Sequence, residues 1–365
     1  MYAIAINNKT KRVAVVCKYN IQCILGNTIR PNTGINIFKQ NKNIASGYFN
    51  CVSMSGNGKY QTTVQRTQSD DYTCNMSNIF VSSNYGVNWT NVSNRAELVQ
   101  NWTGVGVSDN GQYQIASYQP GNVYISNNYG LNWSKTTAPD ASWYGVAISG
   151  NGRYQLAVSN EYKSDLNSNV YLSTDYGANW EAKLSAKLWL NCSISSNGNI
   201  MSAIAFSDKN EVDEFGILPV GSIYVSTDSG MTWINSSVKD YFTNVCVSGN
   251  GKYILVCAND CNYGPSLPRP LYLSSDSGST WTTINLNDSW ISVAISYDGK
   301  YQSATSYYQG VDAPNTGYIY ESSDYGITWK KNESAKQDEW TGISMSSNGQ
   351  IRTLVSTMCG NLYNT

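Results

Sequence analysis

One stretch, residues 142–181, constrains this chain more than any other, because near-copies of it fill the rest of the sequence. Apolar residues alternate there in four short runs, at 144–149, 154–159, 170–173 and from Trp180 onward. A period of two puts alternate side chains on one face of a strand. Gly150-Asn151-Gly152 separates the first two runs and Thr174-Asp175-Tyr176-Gly177 the last two, and both are short-turn sequences. The unit predicts a four-stranded antiparallel meander.

Eight residues before the turn Asn or Asp of each first hairpin stands an aromatic: Phe49, Trp102, Trp143, Trp189, Phe242, Trp290 and Trp340. Their spacing averages about 48 residues, in the range of four-stranded repeat units. A weaker copy starts at Tyr2, with 3–7 and 13–17 imitating the first hairpin around a Lys/Thr turn. The 365 residues exceed one ordinary compact core, and no shift of composition marks a boundary, which favours a repeat architecture over separate domains. The units run about 1–45, 46–98, 99–139, 140–186, 187–239, 240–287, 288–337 and 338–365, as one domain spanning 1–365.

The first hairpin turns read Ser-x-Asn/Asp-Gly from Ser55, Ser108, Ser149, Ser195, Ser248, Ser296 and Ser346. Asn-Gly and Asp-Gly supply the positive φ angles of tight hairpins, so these are strand-pairing devices. The second turn carries Ser-x-Asp/Asn-x-Gly-x-x-Trp, centred on Asn84, Asn128, Asp175, Asp228, Asp276 and Asp324 and ending at Trp89, Trp133, Trp180, Trp233, Trp281 and Trp329. Residues 30–37 form a worn seventh copy. The Asp or Asn side chain accepts turn amides, the Gly takes a conformation closed to other residues, and the Trp covers the turn.

This second pattern resembles the Asp box, or BNR repeat, of a β-propeller group that includes sialidases, some endoglucanases, sortilin-type receptors and a photosystem II assembly factor. The resemblance implies an all-β fold, a single β-propeller of four-stranded antiparallel blades with the Asp boxes at the hairpins between third and fourth strands. It also implies that these hairpins lie on the face away from the ligand. The six aligned Asp/Asn residues are then scaffold, and neither a metal array nor a catalytic one. With strands named a to d from the axis outward, a–b and c–d turns fall on one rim, and b–c loops and sheet-to-sheet connections on the other. Small side chains on the first strands, such as Gly104, Gly106, Cys51, Ser53, Ser292 and Ala294, suit crowding near an axis. Eight first-hairpin units and seven c–d turns predict eight blades with a three-stranded last one. Seven blades, the N-terminal stretch supplying an outer strand near 35–38, is the alternative.

Composition narrows function mainly by exclusion. Histidine is absent, which removes Ser-His-Asp and Cys-His nucleophiles, His-containing zinc sites and His proton shuttles. Lys and Arg (24) nearly cancel Asp and Glu (25), so no basic nucleic-acid footprint exists. Nine cysteines in an unpatterned set, with Cys51, Cys192, Cys246 and Cys257 inside strands, suggest a reducing compartment. Cys257 and Cys261, lacking a second pair, make a poor metal site, and no cofactor is expected. Sequons such as Asn88-Trp89-Thr90 and Asn132-Trp133-Ser134 follow from the repeat itself. No run is long enough to span a membrane as a helix, and the N-terminus lacks a signal-peptide core. A cytoplasmic or virion-associated protein is the expectation, the Asn/Tyr-rich, Arg-poor repeats resembling those of large DNA viruses.

Variation is concentrated in the b–c loops, where binding residues are expected. The candidates are Asp70, Asp71 and Tyr72; Tyr162; Glu211 and Asp213, in an acidic run with Asp208 and Glu214; Asp260, Tyr263 and Arg269; and Tyr307, Tyr308 and Asp312. The aromatics that open each first strand ring one end of the axis and are read as packing between blades, with sugar stacking as the competing role. A sialidase needs three arginines on the substrate carboxylate beside a Tyr nucleophile assisted by Glu and an Asp acid/base, as the resemblance implies. Arg12, Arg153 and Arg352 stand at first-hairpin turns and Arg30 in the worn box, leaving only Arg66, Arg95 and Arg269. An endoglucanase needs two carboxylates flanking a cleft, for which Asp70, Asp71, Glu211, Asp213, Asp260 and Asp312 qualify, but the related enzymes build that cleft between two propellers. The expectation is a non-enzymatic propeller that binds a protein or glycan through its b–c rim, with no nucleic acid and no membrane insertion. A carboxylate-dependent glycoside hydrolase is the alternative.

Overall fold

The computed structural model describes residues 13–16, 21–24, 48–56, 59–66, 78–84, 88–93, 98, 100–161, 168–185, 187–207, 220–259, 268–306, 317–332, 340–345 and 352–356. No α-helix occurs among them, and their strands form six four-stranded and two two-stranded antiparallel sheets. In the four-stranded sheets the strands lie in chain order. The unit at 142–181 becomes Trp143–Ile148, Gln155–Ser159, Asn169–Ser173 and Glu181–Ser185, within a residue or so of the alternating runs.

The two-stranded sheets pair Val13–Val16 with Ile21–Ile24 and Trp340–Met345 with Arg352–Ser356. Consecutive first strands, from Tyr48–Met54 through Trp102–Val107 to Trp340–Met345, run side by side, and Val13–Val16 touches both Tyr48–Met54 and Arg352–Ser356. The sheets therefore close into a ring. Residues 3–7, expected to pair with 13–17, lie outside the described residues.

The four-stranded sheets bury their faces against their neighbours, which is why a sheet too small to hold a core alone is stable here. Ile79 and Val81 of one sheet pack with Trp102 and Val105 of the next, and Val170 and Leu172 pack with Trp189. Trp102, Trp143, Trp189, Phe242 and Trp290 have no exposed surface. Each meets a third-strand Tyr of its own sheet edge to face, as Trp143 meets Tyr171 at 5.4 Å between centroids and 69°. A sugar-stacking role for these rings is thereby closed off, and they join strands within a sheet as well as sheets to one another. A bulge follows every such aromatic, for example between Trp143 and Gly145.

The turns depart from expectation in one respect. In the first hairpin only the Gly is left-handed, Gly152 at φ 82°. The Asn151 carboxamide oxygen instead accepts from Ser149 Oγ (2.8 Å) and from the Arg153 amide (3.0 Å), while the Tyr154 amide donates to Ser149 Oγ (3.0 Å). A four-residue loop of this kind needs one left-handed residue where a two-residue loop needs two. In the second hairpin it is the residue before Gly that joins it in the left-handed region, Tyr176 at 64° and Gly177 at 86°. Asp175 Oδ1 accepts from Ser173 Oγ and the Asn179 amide (2.9 Å each), and Trp180 Nε1 donates to the Gly177 carbonyl (3.1 Å).

Neighbouring first hairpins are also joined directly. The amide of Gly56 donates to the Asp109 carbonyl (2.5 Å), Asp109 to Gly150 (2.8 Å), Gly150 to Ser196 (2.9 Å), Ser196 to Gly249 (3.0 Å) and Asn250 to Tyr297 (3.0 Å). These backbone bonds form a belt around the hairpin end of the axis.

Candidate functional site

The belt and the turns consume the polar groups of the hairpin rim, so the opposite rim holds the variable connections. Between second and third strands these range from four residues, 119–122, to thirteen, 208–220. Of the candidate rim residues only Arg269 lies among the described residues; Asp70, Asp71, Tyr72, Tyr162, Glu211, Asp213, Asp260, Tyr263, Tyr307, Tyr308 and Asp312 fall outside them.

Arg269 opens the third strand Arg269–Ser274, at the foot of its loop. Its Nη1 lies 3.2 Å from Asp240 Oδ1, with the Arg side chain 26% exposed and the Asp side chain 3%. Asp240 ends the outer strand Ile234–Asp240 of the preceding sheet, so the pair bridges two sheets. Tyr272 OH donates to Asp240 Oδ2 (2.7 Å) and the Tyr241 amide to Oδ1 (2.8 Å). The guanidinium sits 5.5 Å from the Tyr241 ring centre, and the Arg269 carbonyl accepts from Trp290 Nε1 (2.7 Å). Burial, then the bond to Asp240, pushes the Tyr272 phenol up, so it remains a neutral donor. Sequence reasoning found Arg269 and missed Asp240, whose role depends on the angle between two sheets.

Asp288 repeats this position one sheet further on, pairing in register with Arg269. Burial pushes its carboxyl up, against hydrogen bonds from the Ser289 amide and the Ser306 and Tyr320 hydroxyls. With Asp240 and Arg269 it sets three charge-bearing side chains at the strand ends of this rim.

A cavity of about 220 Å³ occupies the axis, lined by first strands of six sheets and, at the hairpin end, by Asp109, Gly150, Ser196, Gly249 and Tyr297. Asp109 is the one carboxylate among its described lining residues, which therefore hold no carboxylate pair of the kind glycoside hydrolysis uses. Cys192 and Cys246 line it too. Burial pushes both thiols up, Cys246 to about 11, which keeps them protonated and poor nucleophiles. Among the described residues no three metal-binding side chains gather. No helix there is long and apolar enough to cross a membrane.

The Asp and Asn residues of the second turns stand on the hairpin rim, each holding its own turn. Bonds from the Thr232 hydroxyl and amide hold the Asp228 carboxyl at about 2, and Thr280 and Thr328 lower Asp276 and Asp324 likewise. A carboxyl depressed by folding binds protons more readily in the unfolded chain, so its contribution is full above the ordinary carboxylate range and is lost as pH falls through the folded value. Stability should therefore fall from about pH 4 to about pH 2. In Asp228→Asn/Asp276→Asn/Asp324→Asn, urea midpoints measured across that interval should vary less with pH; an unchanged slope would remove these turns as the cause.

The sequence pattern of the BNR-Asp box repeat matches residues 319–332, the segment holding Ser322, Asp324, Gly326 and Trp329. No curated protein matches the chain significantly in sequence. Among solved structures, YCF48 bound to D1 peptide is similar at a TM-score of 0.56 and 13% identity, over 99% of this chain and 100% of that one. Hydrazine synthase of Kuenenia stuttgartiensis is similar at 0.59 and 12%, over 86% and 94%. An ancestral GH74 enzyme is similar at 0.51 and 18%, over 68% of this chain and 33% of that one, so this chain spans about a third of the enzyme's length. At these identities the likeness speaks for the fold. The chain is a β-propeller that carries the BNR-Asp box repeat.

Proposed function

We propose that this chain is a non-enzymatic binding propeller of eight units, with Asp boxes at its c–d hairpins, that recognises a protein or glycan through the rim of b–c loops. The carrying observation is the unequal use of the two rims. Hairpin turns of near-constant length are closed by their own bonds, whereas b–c connections vary more than threefold in length, and one of them ends at the Asp240–Arg269–Tyr272 cluster. Irregular loops on a rigid scaffold are the usual form of a recognition surface. YCF48, similar in fold, is bound to D1 peptide, which favours a peptide or protein over a glycan.

On this reading Arg269 and the loop residues Asp70, Asp71, Tyr72, Tyr162, Glu211, Asp213, Asp260, Tyr263, Tyr307, Tyr308 and Asp312 make the contacts. Alanine substitutions across 208–214 and 307–312 should leave the fold intact and weaken capture of the physiological partner, in quantitative affinity purification, by about tenfold or more. Unchanged capture of every partner would sink the reading. Turnover of a fluorogenic glycoside abolished by one Asp or Glu change would replace it with the hydrolase.

A further inference from the structure

Among the described residues, three pairs of tyrosines stack across neighbouring sheets on the hairpin rim. Tyr60 meets Tyr129 with ring centres 4.4 Å apart and planes at 32°, Tyr113 meets Tyr176 at 4.7 Å and 36°, and Tyr253 meets Tyr325 at 5.5 Å and 25°. The first member stands two residues after the Gly of a first hairpin, and the second immediately before the Gly of the next sheet's second turn. At that second position φ is 65° for Tyr129 and 64° for Tyr176 and Tyr325, a left-handed backbone that bulky side chains rarely take. Ser229 and Ser277 fill the same position at 61° and 59°, so the turn itself has no need of an aromatic. Backbone bonds fix the outer rings in place, the Tyr129, Tyr176 and Tyr325 amides donating to the Gln112, Arg153 and Lys300 carbonyls (3.1, 3.0 and 3.0 Å).

Exposure separates these pairs from the other aromatic contacts. Tyr129, Tyr176 and Tyr325 are 39%, 41% and 39% exposed, whereas Tyr124, Tyr171, Tyr224 and Tyr272 of the third strands are buried and meet a Trp or Phe edge to face. We propose that the three stacked pairs are sites of oxidative cross-linking, each closing to a dityrosine bridge between adjacent sheets when a peroxidase and hydrogen peroxide act on the protein. Each phenol gives up one electron and its hydroxyl proton. The two phenoxyl radicals then join through a bond between ring carbons ortho to the oxygens, and the hydrogens on those carbons move to the oxygens, restoring both phenols. Hydrogen peroxide takes up the two electrons and two protons and leaves as two waters. Each bridge spans more than a whole repeat, and closing so long a loop constrains the unfolded chain.

The full chain at about 1 µM, far below the millimolar effective concentration of groups held in one chain, is treated with peroxidase and hydrogen peroxide and mapped by tandem mass spectrometry. Peptides joining Tyr60 to Tyr129, Tyr113 to Tyr176 and Tyr253 to Tyr325 are expected, in a chain that stays monomeric on a denaturing gel and unfolds at higher urea than the untreated protein. Tyr129→Phe/Tyr176→Phe/Tyr325→Phe keeps the stacked rings and should lose all three bridges. Tyr154 has Ser229 as its counterpart in the next sheet, so Ser229→Tyr should gain a fourth bridge, to Tyr154. Far-UV circular dichroism checks that both variants fold. Absence of bridges at the three pairs, bridges formed as readily at the buried tyrosines, covalent dimers in place of bridges within the chain, or no bridge to Tyr154 in Ser229→Tyr each overturns the proposal.

Discussion

Trp143→Ala is expected to lower the unfolding free energy by about 3–5 kcal/mol, measured by urea denaturation. Trp143 has no exposed surface and lies between Ile115 and Val123 of the preceding sheet and Ala157 and Tyr171 of its own. Its removal leaves a cavity that neither sheet can close without breaking its ladder, so the cavity cost adds to the lost transfer energy. The Nε1 bond to the Gly121 carbonyl (2.9 Å) goes as well. Trp143→Phe separates the two effects, since Phe242 holds the same place in another unit without an N–H. It should cost about 1–3 kcal/mol, most of it from the lost ring volume, because the Gly121 carbonyl keeps the Ala141 amide (2.8 Å) as a donor. A loss below 1 kcal/mol for the alanine variant would mean that the sheets re-close, contrary to the packing described.

Asp240→Ala should cost about 3 kcal/mol, near the lower end for breaking a buried pair because Arg269 keeps some contact with water. The substitution removes the acceptor shared by a guanidinium, the Tyr272 hydroxyl and the Tyr241 amide, three donors that converge on one carboxylate. Tyr272→Phe removes only one of them and should cost about 1.5–3 kcal/mol. Asp240→Ala/Arg269→Met removes the charge with its partner and should recover part of the loss. If the double variant were less stable than Asp240→Ala, the pair would not be the source of the cost. The same series reads on function, because Arg269 carries the rim of the proposed site while Asp240 only positions it.

The strands and turns were legible in the sequence because their causes are local. Alternation fixes a strand, Asn-Gly or Asp-box residues fix its end, and both operate within a dozen residues. What lay beyond reach depends on neighbouring sheets. Asp240 reads as an ordinary strand-end residue until the next sheet brings Arg269 and Tyr272 to it. Tyr113 reads as a hairpin residue until Tyr176 of the next sheet stacks on it. For the site, Arg269 was legible from composition of its loop, whereas its partner was not, because nothing in a single repeat encodes the angle between two of them.

The belt of backbone bonds makes the ring cooperative. In a linear array an end unit can fray without cost to the middle, but here the first hairpins of Asp109, Gly150, Ser196 and Gly249 are each fastened on both sides, so releasing Gly150 releases Asp109 and Ser196 with it. The amides of Asp109, Gly150 and Ser196 should therefore exchange with deuterium at one common rate set by opening of the whole ring, although Asp109 itself is solvent-exposed. Turn amides at a surface ordinarily exchange within local openings, and a shared slow rate at these three would show that the turns, and not the cores between sheets alone, tie these sheets together.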